Sequence, residues 1–208
     1  MKYSKVTLGK IESMINMLGG EKGMGAFLRG ETTVRKSDRI WFECDGIVYL
    51  SVVSEGLTGD QWLQYFKEAG HRLTPEAKAL LLSEAFVPTT DVVYEVAIVK
   101  GFNYTNEQRN LQVIDKAAER CSLSKPNVEI GCLLRKALSD ADLKEMNLSD
   151  ILTMHDANTS SFSNTLQRLL AFSWHEDGDK PIYGAHSIPI GFGWDWSFGF
   201  AYIKNEKK

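Results

Sequence analysis

The run Gly191–Ile203, GFGWDWSFGFAYI, has a strict period of two: Trp194, Trp196, Phe198, Phe200 and Tyr202 alternate with Asp195, Ser197, Gly199 and Ala201. Successive side chains of a strand point to opposite faces, so this segment predicts a strand with five aromatics on one face and small or polar groups on the other. Each aromatic buries roughly 150–250 Å² when covered. Two readings follow. The strand crosses the middle of a sheet and its aromatics are core, or part of the ladder, its Trp194 end first, is exposed as a stacking platform for a sugar, a base or a partner's side chains. Gly191, Gly193 and Gly199 would then admit close approach.

The rest of the chain must supply the surface that covers such a strand. Its 208 residues suffice for a real core, and 43% hydrophobic with 25% charged residues exclude disorder, collagen and coiled coil. Twenty-four Lys and Arg against 27 Asp and Glu give −3, so there is no global basic field for nucleic acid or an anionic membrane. No apolar run approaches a membrane span, and the amphipathic start MKYSKVTLGKIESMIN is unlike a signal peptide. Cys44, Cys121 and Cys132 form no C-x-x-C pair, which points to reduced thiols and a soluble cytoplasmic protein. Repeats and low-complexity tracts are absent from the sequence. A single domain over residues 1–208 is expected. The stretch ANTSSFSN (157–164) would subdivide it into a helix-rich region, residues 1–156, and a β-rich aromatic and Gly-rich tail, residues 157–208.

Local signals predict the elements. Leu8, Ile11, Ile15 and Leu18 share a helical face that Gly19-Gly20 would end, leaving the glycines up to Gly25 in a loop. Thr58–Gln61 and Thr105–Gln108 read as capping boxes, and Thr74-Pro75 opens a further helix. Helices are also expected from Pro126 to about Leu138 and at Ser139–Asp142. Strands are expected at 39–43 and 47–53 around an Asp45-Gly46 turn, at 92–99 buried on both faces, at 151–155 and at 166–174. Irregular element order favours an α+β fold, helix-rich in its first two-thirds around a mainly antiparallel sheet and β-rich towards its C-terminus.

Two weaker patterns carry chemistry. Residues 118–136 have the spacing of a helix-turn-helix, with Ala118 small, a turn at Ser122–Ser124, Val128 inward, and Lys125 and Asn127 offered to a groove. Segment 100–138 is mildly basic, with seven basic groups against four acidic, although Glu129 sits where phosphate would repel it. The alternative to a DNA-binding regulator is an ordinary helix pair. His155-Asp156 and His175-Glu176 would make a metal-dependent hydrolase if the two imidazoles converged on one ion. Their spacing matches no metal signature, and carboxylates beside strand ends are usual for solubility.

Several strings together carry a resemblance: Leu18-Gly-Gly-Glu21, Phe27-Leu-Arg-Gly-Glu31, Thr58-Gly59 with Trp62, Phe86-Val-Pro-Thr89, Tyr94–Gly101, Lys125–Arg135, Met154-His-Asp156 and Gly199-Phe-Ala-Tyr202. Over most of its length the chain resembles an uncharacterised family of short bacterial proteins from small-genome, uncultivated lineages, with a variable aromatic and Gly-rich C-terminal tail. Tyr202 stands where that family often has Phe. Such a tail is similar to the ligand-binding tail of variable proteins served by diversity-generating retroelements, many of them C-type-lectin-like. The resemblance implies binding by the tail, and no activity, cofactor or catalytic residue.

The leading expectation is a non-enzymatic binding protein for an unknown protein or small-molecule ligand, without cofactor, metal or membrane. Its candidate surface is Trp174, His175, Tyr183, Phe192, Trp194, Asp195 and Trp196, all on or beside expected loops.

Overall fold

The computed structural model describes residues 11, 15, 18, 20–31, 39–155, 166–173, 182–189 and 193–205, with backbone alone at 166–169 and 182–189. By internal contact the chain divides into Met1–Arg39 and Ile40–Lys208. In the first unit, helix α1 (Gly20–Leu28) occupies the segment where the glycine spacing predicts a loop. It ends in a Schellman turn: Gly30 takes φ 75°, its N–H bonds the Phe27 carbonyl, and the Glu31 N–H bonds that of Ala26.

The second unit is built on a nine-stranded mixed sheet. Its strands are β1 (Trp41–Cys44), β2 (Ile47–Glu55), β3 (Arg72–Leu73), β4 (Thr90–Lys100), β5 (Leu123–Ser124), β6 (Asp150–Thr153), β7 (Leu166–Ser173), β8 (Ile182–Pro189) and β9 (Phe198–Lys204). They run in the order β1-β2-β4-β9-β6-β7-β8-β3, with β5 also paired to β9. The pairings are antiparallel except β6 with β9 and β3 with β8. Among the described residues five helices accompany the sheet: α2 (Gly59–Glu68), α3 (Pro75–Leu81), α4 (Leu111–Arg120), α5 (Glu129–Ala137) and α6 (Asp140–Glu145). The chain is therefore α+β. Its longest strands, β2 and β4, lie among the helices of the first two-thirds. Among the described residues no helix is long and apolar enough to cross a membrane.

Turn and cap chemistry explains most boundaries. Asp45 and Gly46 take φ 52° and 73°, the tight turn that joins β1 to β2. Thr58 with Gln61 and Ser139 with Asp142 are complete capping boxes, and Pro75 follows the N-cap Thr74. Thr105–Gln108 closes only an isolated turn, in which the Thr105 N–H reaches Gln108 Oε1. The helix instead starts after Asn110, whose Oδ1 accepts the Val113 N–H. Strand β4 is buried on both faces over Val96–Lys100 alone, because its first half pairs with the outer section of β2, where Val53 and its partner Val93 are both exposed.

The aromatic run is shorter as a strand than its alternation predicts. β9 begins at Phe198, and Trp194 and Trp196 lie in the connection before it. Within β9 the alternation holds and decides how the sheet is covered. Phe198, Phe200 and Tyr202 join Ala97, Val99, Leu152 and Met154 on one face, where α4 supplies Leu111, Ile114 and Ala118. Ala201 and Ile203 face the other way, into a cluster with Ile98 and Ile151 to which α2, α3, α5 and α6 contribute. The rings of β9 lie on the face against which α4 packs, and its small residues Gly199 and Ala201 lie on the other. A Cβ at Gly199 would lie 2.7 Å from Ile98 Cγ2 and 2.9 Å from Leu148 Cδ1.

Candidate functional site

The same two-faced packing corrects the helix-turn-helix expectation. α4 belongs to the cluster on one face of the sheet and α5 to that on the other, so segment 118–136 crosses from face to face through β5. Val128 is inward as expected. Asn127 is engaged locally: its Oδ1 accepts the Ile130 N–H and its Nδ2 donates to the Tyr94 hydroxyl. Lys125 lies 3.3 Å from Asp115 Oδ2. Glu129 is fully buried, its Oε2 accepting from both the amide and the hydroxyl of Thr89. Burial raises its pKa above the ordinary carboxylate value, against the lowering effect of those two hydrogen bonds.

His155 is buried at the end of β6, and its Nε2 accepts the Leu170 N–H. That nitrogen therefore faces backbone. Asp156, His175 and Glu176 lie outside the described residues, and among the described ones no cluster of three His, Cys, Asp or Glu side chains could hold a metal ion.

Of the expected binding surface, Trp174, His175 and Phe192 lie outside the described residues, and Tyr183 is placed by its backbone in β8, opposite Phe172 of β7. The other three sit together just before β9 and differ in fate. Trp194 is buried, edge-on to Phe198 and Phe200, so the aromatic ladder is core here. Asp195 shapes the turn, its Oδ1 accepting from the amide and hydroxyl of Ser197. Those bonds hold its carboxyl below the usual range. Trp196 is 49% exposed.

Trp196 lines a cleft of about 360 Å³ at one end of the sheet. Strand β1 and the turn after it supply Glu43 and Gly46; the end of β4 and the 3-10 turn Gly101–Asn103 supply Lys100, Phe102 and Asn103; the exit of α6 supplies Met146, Asn147 and Leu148. Phe102 is 75% exposed. Lys100 is nearly buried and donates to Glu43 Oε2 at 2.7 Å.

The walls are tied to one another. Asn103 Nδ2 donates to the Gly46 carbonyl at 2.8 Å, joining the hairpin turn to the 3-10 turn. The Ser149 N–H bonds the Ser197 carbonyl, and the two serine hydroxyls lie 2.7 Å apart, which fixes the Trp196 turn to the start of β6. Gly101 packs under that turn: a Cβ there would stand 2.8 Å from the Asp195 carbonyl oxygen, 3.0 Å from that of Phe198 and 3.1 Å from that of Trp196. The walls of the cleft are thus hydrogen-bonded to one another, with aromatic, amide, ammonium and carboxylate groups at its surface.

A second cleft, of about 480 Å³, lies over the opposite face and is lined by Asp115, Glu119, Ser124, Lys125 and Tyr202. Tyr202 is buried and donates its O–H to Asp115 Oδ1 at 2.7 Å. Burial first, and the Asp115 charge second, push its pKa far above the ordinary tyrosine value, so it is a fixed donor and no base. This chain of contacts joins α4, β9 and the segment after β5, and it presents no exposed aromatic surface.

Glu43, Lys100, Phe102, Asn103 and Asn147 are absent from the surface expected from the sequence. One signal for them was present: Lys100-Gly-Phe-Asn103 follows an apolar strand, and a charged residue at such a strand's end beside a bulky apolar one marks a rim. No family model, curated protein or solved structure matches the chain.

Proposed function

We propose that this chain is a non-enzymatic binding protein that holds its ligand in the cleft at Trp196. The observation that carries the reading is that Trp196 and Phe102, two large exposed aromatics from segments far apart in sequence, meet in one cleft whose walls are already hydrogen-bonded together. Pre-assembly lowers the ordering cost of binding, and exposed aromatics beside a few polar groups are the usual makings of a ligand site. In this reading the helix-rich first two-thirds is scaffold, and the β-rich region from 157 onward presents the aromatic and acidic turn 193–197. A variable C-terminal tail in the resembling bacterial family would fit that division, and cysteine usage would place the protein in the cytoplasm.

The test is a thermal-shift screen of small molecules against the wild type, Trp196→Ala and Phe102→Ala. Compounds that raise the wild-type Tm and leave both variants unmoved support the reading, provided the unliganded variants melt within a few degrees of wild type. Hits that act equally on all three proteins overturn it.

A further inference from the structure

The chemistry of the cleft also narrows what it would hold. Its charged lining groups among the described residues are Glu43 and Lys100, already paired at 2.7 Å, so the described lining carries no net charge. A phosphate or carboxylate approaching Lys100 would also meet the Glu43 carboxylate, which removes the advantage of an anionic ligand. A cationic ligand meets the converse arrangement. The polar groups offer both senses of hydrogen bond within one small space: the Glu43 carboxylate accepts, the Lys100 ammonium donates, and the Asn147 side-chain amide, which makes no hydrogen bond to the described residues, does both. The apolar surface consists chiefly of the rings of Phe102 and Trp196. A volume of about 360 Å³ lies at the small end of the range for small-molecule sites.

Resting on the binding reading above, we infer that the ligand is an uncharged polyhydroxylated ring, a sugar unit of a neutral glycan. Its apolar C–H surface would lie against both Trp196 and Phe102, and its hydroxyls, each both donor and acceptor, would match the mixed set of Glu43, Lys100 and Asn147. A nucleobase would also stack on the rings, but each of its edge groups is fixed as a donor or an acceptor, whereas every sugar hydroxyl can turn to serve as either. A nucleotide would add an anion for which the described lining has no spare cation.

Calorimetric titration tests this with defined probes: cellohexaose, maltohexaose and chitohexaose as neutral glycans, an oligogalacturonate as a charged one, and adenosine and AMP as aromatic rings. The expected result is saturable binding of at least one neutral glycan. Its affinity should fall about tenfold or more in Trp196→Ala and in Phe102→Ala, and stay within a fewfold in Trp196→Phe, which keeps a stacking face. Raising salt from about 0.05 to 0.5 M should change it less than about twofold, since no net charge is matched. Protection of wild-type tryptophan fluorescence from acrylamide by the bound glycan gives a readout independent of any variant's folding.

The inference is overturned if no neutral glycan binds, if oligogalacturonate or AMP binds instead with steep salt dependence, or if glycan binding survives both alanine variants. Should adenosine or a screening hit bind through Trp196 while every glycan is silent, the sugar assignment falls and the binding reading stands. Hits indifferent to Trp196 remove both.

Discussion

Lys100 and Glu43 form an ion pair at 2.7 Å that spans a strand: they sit on β4 and β1, with β2 between them, and the lysine side chain is 10% exposed against 41% for the glutamate. The two partners therefore differ in what their loss leaves behind. Glu43→Gln strands a nearly buried ammonium, whereas Lys100→Met leaves a carboxylate that water can reach. Urea unfolding at pH 7 should show Glu43→Gln destabilised by about 1–2 kcal/mol, a figure discounted for the exposed half of the pair, and Lys100→Met by less. An equal or reversed order would show that the pair does not hold the β1 end of the cleft.

Gly101 should be the most sensitive glycine for the site. Its absent Cβ faces three carbonyl oxygens of the 195–198 turn, and backbone yields less readily than a side-chain tip. Gly101→Ala should cost about 1–3 kcal/mol. It should also alter the accessibility of Trp196, read as a change in acrylamide quenching that Trp196→Phe abolishes. Unchanged quenching with unchanged stability would mean that the turn is not seated on Gly101.

Tyr202 gives a pH dependence with a defined sign. Its folded-state pKa is raised by burial and by Asp115, so above the ordinary tyrosine value of about 10 the unfolded chain loses a proton that the folded chain keeps. Stability contributed by this group is whole below pH 10 and declines as pH rises beyond it, by up to about 1.4 kcal/mol per pH unit. Tyr202→Phe should lose about 1 kcal/mol at pH 7 with the Asp115 hydrogen bond, and show a shallower alkaline decline than wild type. Parallel alkaline slopes in the two proteins would refute the assignment.

Glu129 acts at the acid end. Burial raises its carboxyl above the ordinary value, so as pH rises past about 4.3 the unfolded chain releases its proton first and the wild type loses stability from this group. Glu129→Gln keeps an acceptor for Thr89 without the charge. It should therefore be at least as stable as wild type at pH 7, with the advantage shrinking below pH 4. A Gln variant clearly weaker at pH 7 would show that the charged form is the one the Thr89 hydrogen bonds favour.

Local chemistry was well written in the sequence, and distance was not. The boxes at Thr58 and Ser139, the Pro75 start and the Asp45-Gly46 turn each satisfy their amides within a few residues, so residue type and spacing suffice to find them. Thr105–Gln108 has the same spacing and yields only a turn, because Asn110 captures the helix start and Leu111 is the first residue with core to face. The segment 118–136 has helix-turn-helix spacing, yet its two helices are claimed by opposite faces of a sheet whose order the sequence does not spell out. Trp194 and Trp196 share a parity that predicts a shared fate. The Asp195–Ser197 turn ends the alternation between them and β9, burying one and exposing the other. Phe102 and Glu43 could not be grouped with Trp196 without knowing that β1 and β4 finish, and β9 begins, at the same end of the sheet.

Strand β9 sits between β4 and β6, joining residues near 100 and near 150 to residues near 200. A nascent chain that has not yet emerged through Lys204 holds a sheet in two separated halves, with the inner edges of β4 and β6 both unsatisfied. Synthesis therefore leaves a window in which apolar strands such as Val96–Val99 are made but cannot be closed in register. Pairings of such long sequence separation are the slow ones to form, and β9 supplies two of them side by side.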